Sequence, residues 1–226
     1  LFAFIPFFFI YNFHGIKTYL SMISERNNID ILFAIMAVQE VVFFVPIAKR
    51  LKDEAGLNIA FLTLHEAGDD ILEQEGITYF SLHKIKRSSK GNTNNKIDVS
   101  DIEKKLGVNV EHLIFHEMHT SGRQRQDLTA KAANYYSIFN NIFRTNNIGC
   151  IIQELGGFIA PLTLYYVSRE NNINHIFIEP AMFRKRVVFT LNHFYADIQN
   201  YGDGNVSMSE ELKQLISEYM TRKTVV

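Results

Sequence analysis

The sequence predicts an α/β fold, a Rossmann-like open parallel sheet with helices on both faces, and three observations predict it. Short continuous apolar runs such as IDILFAIMA and LNIAFLTL lack polar alternation, as strands covered on both sides do. Stretches with helical spacing of apolar residues separate them. The resulting order of strand, helix, strand, helix, strand is the one right-handed crossovers produce.

The first strand is expected from Ile29 to Ala37, followed by a loop of Val38, Gln39 and Glu40. VVFFVPIAKRLKDEAG then reads as a helix with Pro46 in its first turn and Gly56 closing it. Leu57 to Leu64 is a second strand. In HEAGDDILEQEG, Asp69 and Asp70 stand where an N-cap and a first-turn carboxylate belong. ITYFSLHK is a third, short strand. From Lys84 to Ser100 the chain turns basic and polar and reads as a surface loop, either a lip that greets a phosphate or acidic sugar or a solvated connection. Ser100 or Asp101 is expected to cap DIEKKLG. The stretch from Val110 to Asn147 is mostly amphipathic helix, with Tyr135, Ile138, Phe139 and Ile142 on its apolar face.

The segment from Gly149 to Pro180 holds one complete strand–helix–strand unit. Cys150 to Leu155 is a strand, Gly156 and Gly157 form a tight turn, Pro161 stands near the start of a helix running through Arg169, and His175 to Glu179 is the next strand. The glycines thus fall at the carboxyl end of a strand, where open α/β sheets bind ligands. They either let a ligand approach the backbone, with the next helix N-terminus offering its N–H groups, or let the helix pack closely on the sheet.

Composition bounds the function. At 226 residues, 47% hydrophobic and 21% charged, the chain has enough apolar material for a sizeable core. Its 23 basic and 24 acidic side chains leave a formal charge of -1, so no overall field draws it to nucleic acid. Cys150 is the sole cysteine; an intrachain disulfide and a cysteine zinc site are both excluded, which fits a reducing, cytoplasmic setting. No GxxxxGK[ST], GxGxxG after the first strand, or GxSxG is present, so P-loop kinases and NAD dehydrogenases drop out.

Three regions are expected: an apolar aromatic segment at 1–28, a Rossmann-like domain at 29–200, and a linker with the helix SMSEELKQLISEYMTRK at 201–226. The opening run LFAFIPFFFIYNF is shorter than the roughly 20 residues of a membrane helix. Its readings are a buried or partner-covered segment, a membrane-surface contact, or a truncated anchor. The start at Leu1 is read as part of a longer chain.

Carboxylates at strand ends mark candidate site residues. Glu154 and Glu179 each end an apolar strand and must be solvated or paired, with Arg184 and Arg186 as partners for Glu179. The cluster either grips an acidic or hydroxylated ligand or forms an ion-paired rim. Glu117 between His116 and His119, with His112 one turn earlier, has superficial metal-site spacing but no HExxH, and no metal is expected there.

The order of the Gln39-Glu40 loop, the PIAKRLK helix, the strand IAFLTL and CIIQELGGFIAPLTLYYVSRENNI leading to HIFIEP resembles the amino-terminal half of GT-B-type glycosyltransferases, built from two Rossmann domains. It is most similar to bacterial capsule and surface-polysaccharide biosynthesis proteins, over roughly residues 29 to 200. The resemblance implies an acceptor-binding half that works with a carboxyl-terminal domain holding a nucleotide sugar, which is the donor substrate; no separate cofactor is implied. The catalytic base is then Glu40, or else His65 or Glu66. Gln39, Glu154, Gly156, Gly157, Glu179, Arg184 and Arg186 contact the glycan acceptor. Sugar-nucleotide epimerases and polyol-phosphate transferases share this layout. A rival of another class is a non-catalytic interaction module whose aromatic amino terminus docks on a partner or on the inner face of the membrane.

Overall fold

A computed structural model describes residues 29–64, 66, 68–89, 98–181, 187–194 and 209–221. Six strands, β1 (Ile29–Ile35), β2 (Ile59–Thr63), β3 (Tyr79–Ser81), β4 (Ile148–Glu154), β5 (Asn174–Pro180) and β6 (Val187–Leu191), form one sheet in the order β3-β2-β1-β4-β5-β6. The first five are parallel; β6 pairs antiparallel with β5. The helices are α1 (Val38–Ala55), α2 (Asp69–Gln74), α3 (Leu82–Ser89), α4 (Val99–Leu106), α5 (Val110–Thr120), α6 (Arg125–Thr145), α7 (Ile159–Glu170) and α8 (Glu210–Thr221). This is the Rossmann-like architecture that the sequence predicts.

Side-chain alternation along β1 explains why its sequence is apolar throughout. Ile31, Phe33 and Ile35 face α1 and α2, packing with Val41, Phe44, Ala48 and Leu72. Leu32 and Ala34 face the opposite layer, built from α4 to α7 through residues such as Leu113, Phe139 and Leu164. The Phe33 ring lies 4.8 Å from Phe44 and 5.2 Å from Phe61, so β1, α1 and β2 share one aromatic cluster. Each such buried ring contributes about 1.5–3 kcal/mol over an exposed one.

Several boundaries differ from the sequence expectation for local reasons. Val38, Gln39 and Glu40 form the first turn of α1 rather than a loop, because Ala37 is extended and the Glu40 carboxylate reaches back to the Met36 N–H at 2.8 Å. Pro46 is therefore inside α1, on its exposed side, where the missing N–H is least costly. Gly56 closes the helix with φ 65, as expected. The N-cap of α2 is Gly68 rather than Asp69: its φ is 97, and a Cβ there would lie 2.3 Å from Val41 Cγ2. Asp69 instead accepts a hydrogen bond from the Thr63 hydroxyl at 2.7 Å, tying α2 to the end of β2.

The expected strand ITYFSLHK is cut to Tyr79–Ser81, and Leu82–Ser89 turns into helix, so the basic loop begins later than Lys84. Its central part, 90–97, lies outside the described residues. Asp98, not Ser100 or Asp101, caps α4, accepting the Ser100 N–H at 3.0 Å. The long amphipathic stretch divides into α5 and α6 near Gly122, whose φ is 65. Sequence periodicity did not indicate β6.

Among the described residues no helix is long and apolar enough to cross a membrane. The amino-terminal segment 1–28 and the linker at 201–208 lie outside the described residues, whereas the helix expected after them is α8.

Candidate functional site

The strand order fixes where a ligand crevice opens. From β1 the chain moves outward to β2 and β3; β4 then lies on the other side of β1, and the chain moves outward again to β5. The connections after β1 and β4 therefore diverge at the carboxyl ends of two adjacent strands, a topological switch point. Met36 and Ala37 lead from β1 into α1 on one side; residues 155–158 lead from β4 into α7 on the other.

Both sides bring a carboxyl group to this point. Glu40 projects from the first turn of α1 and is held by the Met36 N–H. Glu154 ends β4 on the same sheet face as Ile152, the face α1 covers. The two carboxyls lie within hydrogen-bonding reach of each other. Glu40 is pushed up to about 7: partial burial is the largest cause, and the charge and hydrogen bond of Glu154 add to it, while the Met36 N–H opposes. A carboxyl of this kind is part neutral and part ionised near neutral pH, the condition for taking and returning a proton.

Between α5 and the loop after β4 opens a pocket of about 480 Å³, lined by Glu111, His112, Phe115, His116, Leu155, Gly156, Gly157, Leu162 and Phe194. Neither Glu40 nor Glu154 lines it; the Met36 sulfur would lie 3.8 Å from a Cβ placed at Gly156. Its outer wall is α5. Stacking fixes the histidines there: His116 lies edge-on to Phe158 at 4.8 Å, and His112 Nε2 is 3.1 Å from the Tyr166 hydroxyl.

The α7 N-terminus is not left open to a ligand, the first of the two readings of this loop. Glu117 Oε1 accepts the Ile159 N–H at 3.1 Å, and Oε2 pairs with Lys131, so a buried carboxylate of α5 caps α7 and clamps it to α6. Residues 155–157 do not form the expected tight turn, and neither Gly156 nor Gly157 has a positive φ.

The remaining sequence candidates scatter. Gln39 is exposed in the first turn of α1. Glu66 stands at the end of β2, separated from β4 by β1, and its Oε1 lies 3.3 Å from His83 Nε2. Glu179 is the penultimate residue of β5, opposite Val188 of β6 and two strands from β1. His65, Arg184 and Arg186 lie outside the described residues. The histidines of α5 split up: His112 and His116 line the pocket, while His119 packs on Phe115, and among the described residues no group of three potential ligands converges for a metal.

Sequence reasoning placed Glu40 and Glu154 at strand ends but did not pair them, and it missed the pocket's aromatic side chains, Phe115 and Phe194. The spacing of His112, Phe115 and His116 on one helix was visible. What α5 packs against was not. Comparison with family models, with curated proteins and with solved structures finds no match to this chain.

Proposed function

We propose that this chain is the acceptor-side Rossmann-like domain of a glycosyltransferase that uses a nucleotide sugar in surface-polysaccharide assembly, with Glu40 as the catalytic base. One observation carries the reading: a half-buried carboxyl, raised to about 7 and set beside a second carboxyl, stands at the switch point of the sheet. A purely structural capping glutamate gains nothing from such a neighbour. General-base chemistry at neutral pH does.

In the proposed reaction the acceptor hydroxyl lies against Glu40, which takes its proton as the oxygen forms a bond to the anomeric carbon of the donor. The bond from that carbon to the donor phosphate breaks, and the nucleoside diphosphate leaves with the electron pair. Glu154 remains beside Glu40 and keeps its proton affinity near the working pH. The donor is held chiefly by a second Rossmann domain, so the groups that stabilise the departing phosphate belong there.

The test is transfer or hydrolysis of sugar nucleotides by the complete protein, with Glu40→Gln as the deciding variant. Glutamine keeps the acceptor for the Met36 N–H and removes the base. A loss of about 10²–10⁴-fold in turnover with the fold intact is expected. Full turnover in the Gln variant, or no turnover of any sugar nucleotide by the parent, refutes the reading.

A further inference from the structure

We infer that the pocket between α5 and the loop after β4 binds a nucleobase carried by an uncharged molecule, such as a nucleoside. The base stacks on the aromatic side chains of the pocket and is held at its edge by backbone groups of the loop. Neither Glu40 nor Glu154 lines this site, and the inference stands without the transferase reading.

The lining combines two kinds of group. His112, Phe115, His116 and Phe194 supply aromatic rings, alongside Leu155 and Leu162. Phe115 is 61% exposed, so most of this side chain is open to an occupant. Bases stack on such rings whatever their substituents. The second kind of group is backbone. Among the described residues, the N–H and C=O groups of Gly156 and Gly157 have no hydrogen-bond partner, and both residues line the pocket. An aliphatic occupant would strip water from these groups and return nothing. A nucleobase carries donors and acceptors in the plane of its ring, so its edge meets N–H and C=O while its faces stack. The volume of about 480 Å³ lies in the range of small-molecule sites.

The two glycines supply an independent argument. Neither has a positive φ, so the backbone does not demand glycine. A Cβ at Gly156 would come no nearer than 3.5 Å to Pro161, and one at Gly157 no nearer than 3.5 Å to His116, which are ordinary contacts. Packing does not demand glycine either. What a side chain at either position takes away is room in the pocket and access to the loop backbone.

Charge narrows the occupant further. No lysine or arginine lines the pocket, and its one carboxylate, Glu111, is paired with Arg125. The α7 N-terminus, which would otherwise suit an anion, is taken by Glu117. A phosphate therefore finds no countercharge here, which separates this occupant from a nucleotide sugar. His112 is engaged by the Tyr166 hydroxyl and His116 packs edge-on to Phe158, so both imidazoles serve as walls.

The probes are adenosine, guanosine, cytidine and uridine, with ribose, benzyl alcohol and the matching nucleoside monophosphates as controls. Each is titrated into the chain and followed by saturation-transfer NMR on the ligand. At least one nucleoside is expected to bind tenfold or more tightly than ribose and than benzyl alcohol, with its base protons receiving the strongest saturation. Its monophosphate is expected to bind no more than threefold tighter. The Gly156 and Gly157 amide resonances should shift on binding. Phe115→Ser, at an exposed position, and Gly157→Val, each checked for an unchanged melting temperature, should weaken binding about fivefold or more. Where Gly157→Val lowers the melting temperature, Phe115→Ser and the glycine amide shifts decide. The inference is overturned by nucleosides that bind no better than ribose or benzyl alcohol, by a monophosphate more than threefold tighter than its nucleoside, by glycine amides that do not move, or by undiminished binding in Phe115→Ser.

Discussion

Replacing Glu40 by glutamine should stabilise the protein at pH 8 and do so much less at pH 5. The Glu40 carboxyl is raised in the folded chain from its ordinary 4.5 to about 7, chiefly by burial. Between those values the folded chain holds a proton that the unfolded chain has lost, so stability falls as pH rises, and the fall levels off above about 7. At about 1.4 kcal/mol for each tenfold in proton affinity, the full effect is roughly 3 kcal/mol. Glu40 is only partly buried, and solvent screening reduces this to about 1–2 kcal/mol.

Glutamine is neutral at every pH and still accepts the Met36 N–H, so its advantage over the parent should grow from about pH 4.5 to 7 and then stay constant. For a chain of this size 1–2 kcal/mol corresponds to about 3–6 °C in melting temperature. Thermal unfolding of both proteins at pH 5, 6, 7 and 8, followed by far-UV circular dichroism, measures it. A constant difference across the series refutes the raised carboxyl. A variant that loses stability at pH 8 means that the charged form is favoured by the helix N-terminus and the Met36 N–H, the opposite balance.

Three further outcomes are expected. Glu154→Gln removes the neighbouring charge and should move the pH dependence due to Glu40 toward acid, yet not down to the ordinary carboxyl range, because burial is the larger cause; titration of Glu40 by carbon NMR in the variant reads it. Glu117→Ala should destabilise by about 2–4 kcal/mol, since it leaves Lys131 and the Ile159 N–H without their partner, and denaturant unfolding measures the loss. Cys150 is buried with its thiol pushed up to about 12, so a thiol reagent at pH 8 should react with it only after unfolding; rapid labelling of the folded chain would contradict its burial.

The parts of the fold legible in the sequence are those that local pattern determines. β1 and β4 were readable because a parallel strand covered on both faces must be apolar at every position, and Gly56 because a left-handed helix end favours glycine. Boundaries failed where a side chain outranked composition. The Glu40 reach-back to Met36 starts α1 three residues early, and Leu82, fully buried at the end of β3, carries the chain straight into helix where the basic residues suggested loop. β6 was hidden because its residues are largely exposed and gain their order from pairing with β5. The candidate site was half legible for a related reason. Strand ends mark Glu40 and Glu154 from the sequence alone, but the aromatic flank depends on α5 packing against the loop after β4, more than 35 residues away in the chain, a length no local signal spans.

The capping and catalytic readings of Glu40 were alternatives in the sequence, and the geometry makes them compatible. A carboxylate that only capped α1 would be best left fully solvated and alone, since its charge then interacts favourably with the helix N-terminus. Glu40 is instead drawn inward by its hydrogen bond to Met36 and set against Glu154 under partial burial. The bond to Met36 is what makes the second role mechanically sound: it holds one carboxyl oxygen, Oε2, in a fixed direction. The Glu154 carboxyl lies beside it. Position comes from the cap, and proton affinity from burial and from the neighbouring carboxyl. Both depend on the switch point, because only there do a helix start following one strand and the last residue of its neighbour meet at the same end of the sheet.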